Sequence, residues 1–214
     1  MKYHFHIRDF FIGILCLFLF IGIGLNIAIF FRPLYEWDIS YLSLEDYSGF
    51  SRAKILENYH ALIDYCSPFF TGDLIFPSME ISAPALTHFA KVKRLFLIFD
   101  FLACASFFIL LFFFFRSRAQ KKKNASCLLT AGITASAIPV FLGICCGIFW
   151  DQTFVLFHKI FFPGDYWIFD WNKDPIIRIL PDTFFLQCAV LIIGTVLLFS
   201  LFLIITGIRQ LRRH

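Results

Sequence analysis

The sequence predicts an all-α integral membrane protein: a single membrane domain over residues 1–214, with four transmembrane helices and two extracytoplasmic segments containing amphipathic, interfacial helices. Three observations lead there. Hydrophobic residues make up 59% of the chain and charged ones 16%, with a mean hydropathy of +0.77, which leaves too little polar surface to cover a soluble domain. Four apolar runs, 10–31, 95–115, 127–150 and 184–208, reach the roughly 20 residues a helix needs to cross the hydrocarbon. The basic residues are sorted to one side. Lys2, Arg8, Arg116, Arg118, Lys121, Lys122, Lys123, Arg209, Arg212 and Arg213 face a single acid, Asp9, whereas segments 32–94 and 151–183 hold nine basic and thirteen acidic residues. By the positive-inside rule, 1–9, 116–126 and 209–214 are cytoplasmic and the two acidic segments face outward.

Taken in chain order, the first run follows Lys2 and Arg8 and lacks a small-residue cleavage site after it, so it reads as a retained anchor. Segment 32–94 is too long for a turn. Within it Ile55, Leu56, Tyr59, Leu62, Ile63 and Cys66 recur at helical spacing, which predicts an amphipathic helix over 51–66 lying on the membrane or on the protein. A second helix is predicted to start at Ser82, with Pro84 in its first turn where a proline costs no hydrogen bond, and to run through His88 into the second span. His88 then stands about two turns above Leu95. After Trp150 a short amphipathic continuation carries His158.

The cysteines point to no chemistry. All but Cys66 lie in spans, so it has no external disulfide partner, and adjacent Cys145 and Cys146 lack a metal-binding spacing. The 32 phenylalanines are mostly lipid-facing and core filler, while Trp37, Tyr41, Trp150, Tyr166, Trp167 and Trp171 mark an interfacial belt. Gly143 and Gly147 form a GxxxG pair, which predicts close helix packing.

Candidate chemistry sits at the outer face. Asn26, Asp100 and Gln187 lie within spans at outer-leaflet depth, where polar groups are costly; they either line a polar cleft or make interhelical bonds. Of the three outer histidines, His60, His88 and His158, the last two have the better surroundings, and they face each other if the extension of the third span folds back. His158 lies at the start of the most informative stretch of the chain, 157–185, which reads FHKIFFPGDYWIFDWNKDPIIRILPDTFF and is polar and aromatic between two apolar runs.

This segment, the upstream HFAKVKRLF and the helix ILENYHALIDY resemble the bacterial lipoprotein intramolecular transacylases over nearly the whole chain. The resemblance implies an enzyme of the bacterial cell membrane. It would move an acyl chain from the sn-2 ester of a diacylglyceryl-cysteine to that cysteine's α-amine, giving a lyso-form lipoprotein. It implies diacylglyceryl lipoproteins and membrane lipids as partners, no nucleic acid, no cofactor, and His88 and His158 as the catalytic pair. Lys91 departs from the family pattern, in which an acidic residue usually precedes the valine of the His-Phe stretch.

The residue types suit the reaction. A neutral imidazole can take the proton of an attacking amine and an imidazolium can protonate the leaving glyceryl oxygen; no nucleophilic Ser or Cys is needed when amine and ester share one molecule. The oxyanion needs donors, for which Arg178, Trp167 or the backbone of the 163–165 turn are candidates. Tyr59, Asp100 and Asp170 complete the candidate substrate-binding set. Asp170 and Asp174 either orient the histidines or cap local turns, and Asp174, preceding Pro175, reads as structural. No metal is expected, because no HExxH or similar close spacing is present, and a haem would need histidines inside the apolar runs. A non-catalytic membrane scaffold or lipid-binding accessory is the competing reading.

Overall fold

Helices make up most of the computed structural model, which describes residues 3–119 and 125–212, with non-helical stretches at 67–82 and 162–174; Lys2, Lys121, Lys122, Lys123 and Arg213 lie outside the described residues. The helices are α1 (Ile7–Phe30), α2 (Arg32–Tyr41), α3 (Leu44–Ser48), α4 (Arg52–Cys66), α5 (Ala83–Ala119), α6 (Ala125–Ile148), α7 (Trp150–Phe161) and α8 (Asp182–Arg212), with a 3₁₀ turn at Pro175–Arg178 before α8. There is no strand among the described residues. Helices α1, α5, α6 and α8 are long and apolar enough to cross a membrane, and they cover the four predicted runs except for Phe31, which follows α1, and Phe149 and Trp150, which follow α6. The chain divides into two compact units.

The first unit takes α1 as far as Ile27, α5 from Phe99, α6, and α8 from Val190. Its core is small, with Cys16, Leu17 and Phe20 of α1 packed with Ala131, Ala135 and Val196. Phe20 stacks on Phe199 with ring centroids 5.1 Å apart. Close approach runs through small residues, but not those of the GxxxG pair. A Cβ at Gly147 would meet nothing and one at Gly143 would make an ordinary contact with Ile193, whereas one at Gly132 would come within 2.8 Å of the Ser200 carbonyl oxygen. The closest approach of the α6 backbone to α8 at these glycines is therefore made about three turns N-terminal to the predicted pair, on much the same face. Inside this unit Asn26 donates to Asp100 at 2.6 Å and to the Gly22 carbonyl at 2.9 Å, which satisfies two polar groups that would be costly in hydrocarbon.

The second unit takes the rest of α1, α2 to α4, α5 as far as Ile98, and the chain from Phe149 to Ala189. Its core is aromatic. Tyr35 of α2 stacks on Tyr59 of α4 at 3.7 Å with Phe184 edge-on at 5.1 Å, and its hydroxyl donates to the Ile179 carbonyl at 2.5 Å. Ile39, Ile55, Leu62 and Ile176 fill the space around them. The amphipathic helix predicted over 51–66 is α4. Ser51 caps it by accepting from the Lys54 amide, and its apolar face is buried in this core rather than laid on lipid. The helices α2 and α3 have no counterpart in the expectations. Helix α2 starts with Pro33 in its first turn, where the missing N–H is no loss, and it brings Asp38 into the interior with no exposed surface. Both Asp38 oxygens and the Oε1 of neighbouring Gln187 lack a hydrogen-bond partner; burial pushes the Asp38 carboxyl above the usual carboxylate range, and Gln187 acts in the other direction.

Two local features place the chemistry. Helix α5 begins where expected: the Ser82 hydroxyl accepts from the Ala85 amide at 3.2 Å, and Asp174 accepts from the Ser82 amide at 2.9 Å and its hydroxyl at 3.1 Å. Asp174 is thus structural, but it secures the start of α5 instead of capping the turn that follows it, which receives no side-chain cap. At Phe149 the backbone leaves helical geometry with φ −131° and ψ 51°, so the third apolar helix ends at Ile148 and Trp150 opens α7.

Candidate active site

His88 lies in the second turn of α5, held there by the Ser82 cap and its Asp174 bonds. It is 7% exposed, and its Nδ1 is buried without a hydrogen-bond partner. Aromatic rings enclose it: Phe162 at 4.8 Å, Phe169 at 5.4 Å and Phe89 at 5.7 Å between centroids.

His158 comes from α7. Its Nδ1 lies 2.8 Å from the carbonyl oxygen of Phe154, one turn back. A carbonyl can only accept, so Nδ1 carries the hydrogen and the Nε2 lone pair of the neutral ring is left available. Phe154 packs at 4.2 Å and Trp167 at 4.8 Å from the ring. Burial draws its pKa below the ordinary histidine value, opposed in part by the Phe154 carbonyl, which favours the charged form.

The two imidazoles meet with centroids 5.8 Å apart and planes inclined by 29°. Among the described residues no carboxylate is bonded to either ring. The pair is therefore two neutral bases in an aromatic surrounding, able to pass a proton to and from a substrate at little cost in solvent reorganisation.

Of the other candidates, Trp167 alone joins this group, against His158. Asp170 is exposed; it accepts from the Asn172 amide at 2.9 Å and pairs with Lys173 at 3.7 Å, and these bonds, led by the Asn172 amide, hold its carboxyl below the usual range. Arg178 donates to the Trp171 carbonyl through Nε and Nη2, at 3.2 and 3.0 Å, and stacks on the Trp171 ring at 5.1 Å. Tyr59 is 1% exposed within the Tyr35 stack. Asp100 belongs to the first unit, bonded to Asn26. His60 keeps its Nε2 buried and unpartnered beside Tyr59. Sequence reasoning missed Phe162 and Phe169, which wall His88, because phenylalanine is too common in this chain to stand out. It also missed the contact of Lys91 with the turn after α7, where Nζ lies 3.4 Å from the Pro163 oxygen and 4.1 Å over the Tyr166 ring.

Comparison with known proteins gives a family and solved structures of similar fold. The family described as lipoprotein intramolecular transacylase Lit matches residues 10–185. Among solved structures, the membrane integral lipoprotein intramolecular transacylase Lit from Bacillus cereus is similar with a TM-score of 0.87 and 28% identity, over 96% of this chain and 97% of that one. Two further structures of the Bacillus cereus protein, one with a histidine replaced by arginine and one by alanine, are similar with TM-scores of 0.81 and 28% identity. They cover 96% of this chain and 93% and 94% of their own. No curated protein sequence matches.

Proposed function

This chain belongs to the lipoprotein intramolecular transacylase family, and we propose that it transfers the sn-2 acyl chain of a diacylglyceryl-cysteine to that cysteine's α-amine through His88 and His158. Family membership makes it an acyltransferase of the membrane and displaces the scaffold reading. The amine nitrogen attacks the ester carbonyl carbon, forming the C–N bond. As the tetrahedral intermediate collapses the C–O bond breaks, and the glyceryl oxygen leaves with a proton. One N–H proton is lost and one O–H proton is gained, so the two imidazoles need only relay it. The reading is carried by the meeting of the two rings at 5.8 Å within an aromatic wall.

His158 is the base in this scheme, since its Nδ1–H is engaged with the Phe154 carbonyl and Nε2 is left to take the amine proton. His88 delivers the proton to the leaving oxygen. The oxyanion is received by the Gly164 and Asp165 amides of the turn after α7, which donate to no acceptor among the described residues. Holding ester and amine on one molecule supplies the rest through effective molarity. The excess of basic residues around both chain ends and the 116–126 loop supports cytoplasmic termini and a site facing outward.

The test is mass spectrometry of a lipoprotein's N-terminal lipopeptide from cells making each variant. His88→Ala and His158→Ala should each insert normally and lose about 10²- to 10⁴-fold of activity, leaving the diacyl form. The double variant should be little worse than either single one, because both act in one step. His60→Ala should keep the lyso product. A well-expressed His158→Ala protein that made N-acyl product at the wild-type level would end the paired-imidazole mechanism.

A further inference from the structure

One cation stands beside the imidazole pair without a part in the proton relay. Lys91 follows His88 by one turn of α5, so the two side chains share a face. Its Nζ donates to the Pro163 carbonyl at 3.4 Å and lies 4.1 Å over the Tyr166 ring. That turn also supplies a wall to each histidine, Phe162 at 4.8 Å from His88 and Trp167 at 4.8 Å from His158.

The turn has little of its own to hold it. Its backbone bonds are Phe162 N–H to the His158 carbonyl at 2.7 Å and Ile168 N–H to the Asp165 carbonyl at 3.1 Å. Gly164 bends it through φ +96°, and a Cβ there would come 3.2 Å from the Tyr166 ring, so the ring lies directly against the glycine. Among the described residues, the hydrogen bond joining α5 to residues 162–167 is the one from Lys91.

We propose that Lys91 is a positioning residue of the transacylation: it latches the Phe162–Trp167 turn to α5, keeping the aromatic walls and the turn's backbone amides in register with His88 and His158. The inference rests on the paired-imidazole reading. A latch of this kind needs a donor for the carbonyl and a cation for the ring at once. Arginine can meet both needs and an uncharged side chain of the same length cannot.

The experiment uses the full chain in detergent micelles with a synthetic diacylglyceryl-cysteine lipopeptide, assaying wild type, Lys91→Met, Lys91→Arg, Tyr166→Leu and His88→Ala side by side. Misplacing a reacting constellation by about 1 Å costs on the order of 100-fold. Lys91→Met and Tyr166→Leu should therefore lose about 10- to 100-fold in kcat with KM unchanged, and Lys91→Arg should recover most of it. Wild-type kcat in both Lys91→Met and Tyr166→Leu, a rise in KM alone, or an arginine variant as slow as the methionine one would overturn the latch. If His88→Ala is inactive while Lys91→Met and Tyr166→Leu are normal, the latch fails and the mechanism stands. An active His88→Ala removes both.

Discussion

A histidine that gives one ring nitrogen to a backbone carbonyl has a single nitrogen left for chemistry, and His158 is in that state. Its burial also makes it harder to charge than a free imidazole. The direction of the pH effect follows. The free side chain titrates near 6.5, and the folded group below that, so the neutral base persists as the medium is acidified past 6.5 and is lost further down. The acidic limb of kcat should therefore fall below pH 6.5; a limb midpoint above about 7 would contradict a desolvated base at this position. The same shift acts on stability. Between the folded value and 6.5 the unfolded chain binds more protons at this residue, so the contribution of His158 to stability is complete above 6.5 and declines as pH falls through that window. Thermal unfolding at pH 7 and pH 6 in one detergent should show the decline, and His158→Gln should lessen it.

Helix starts decide where the two histidines stand. Ser82 caps α5, and Asp174, 3% exposed, receives both the Ser82 amide and its hydroxyl, so a residue 92 positions away sets where α5 begins and hence the height of His88. Removing a buried acceptor strands its donors, at about 1–3 kcal/mol, on top of a cap that is worth about 0.5–2 kcal/mol. Asp174→Ala should lower the unfolding midpoint and kcat together, and Asp174→Asn, which keeps an acceptor, should lower both less. If Asp174→Ala left kcat untouched, the position of His88 would not depend on this contact. At the other end of the site, the departure from helical geometry at Phe149 sets where α7 begins. Helix α7 has no buried residue and exposes Leu156, Phe157, Ile160 and Phe161, as expected of an interfacial helix.

At the scale of the whole molecule, the sorting of charge predicts which side the site faces. Cysteine placed at exposed Asn172 or Tyr47 should react with a membrane-impermeant maleimide in intact cells, and cysteine at exposed Arg116 should react only after permeabilisation. Tyr47 is a better probe than its neighbour Ser48, which is 6% exposed and would be shielded in either orientation. Labelling at position 116 from outside would invert the map and take the active site to the cytoplasmic face.

The four apolar helices, the cap at Ser82, the amphipathic helix α4 and the identity of His88 and His158 as the pair to watch could be read from the chain alone. Each rests on local information: run length, residue periodicity, cap chemistry, or a motif within a few dozen residues. Tertiary structure decided what depends on distant partners. It took Tyr59 into a stack with Tyr35, tied Arg178 to the Trp171 carbonyl, and drew Asp174 to Ser82. It left Trp167 beside His158 and put close helix approach at Gly132, where Gly143 makes only an ordinary contact and Gly147 none. Sequence spacing reports which face of a helix a side chain occupies, but a hydrogen bond or ring contact is settled by what another element brings to that face. That is why the histidines could be named beforehand, and the contacts of the phenylalanines and the lysine around them could not.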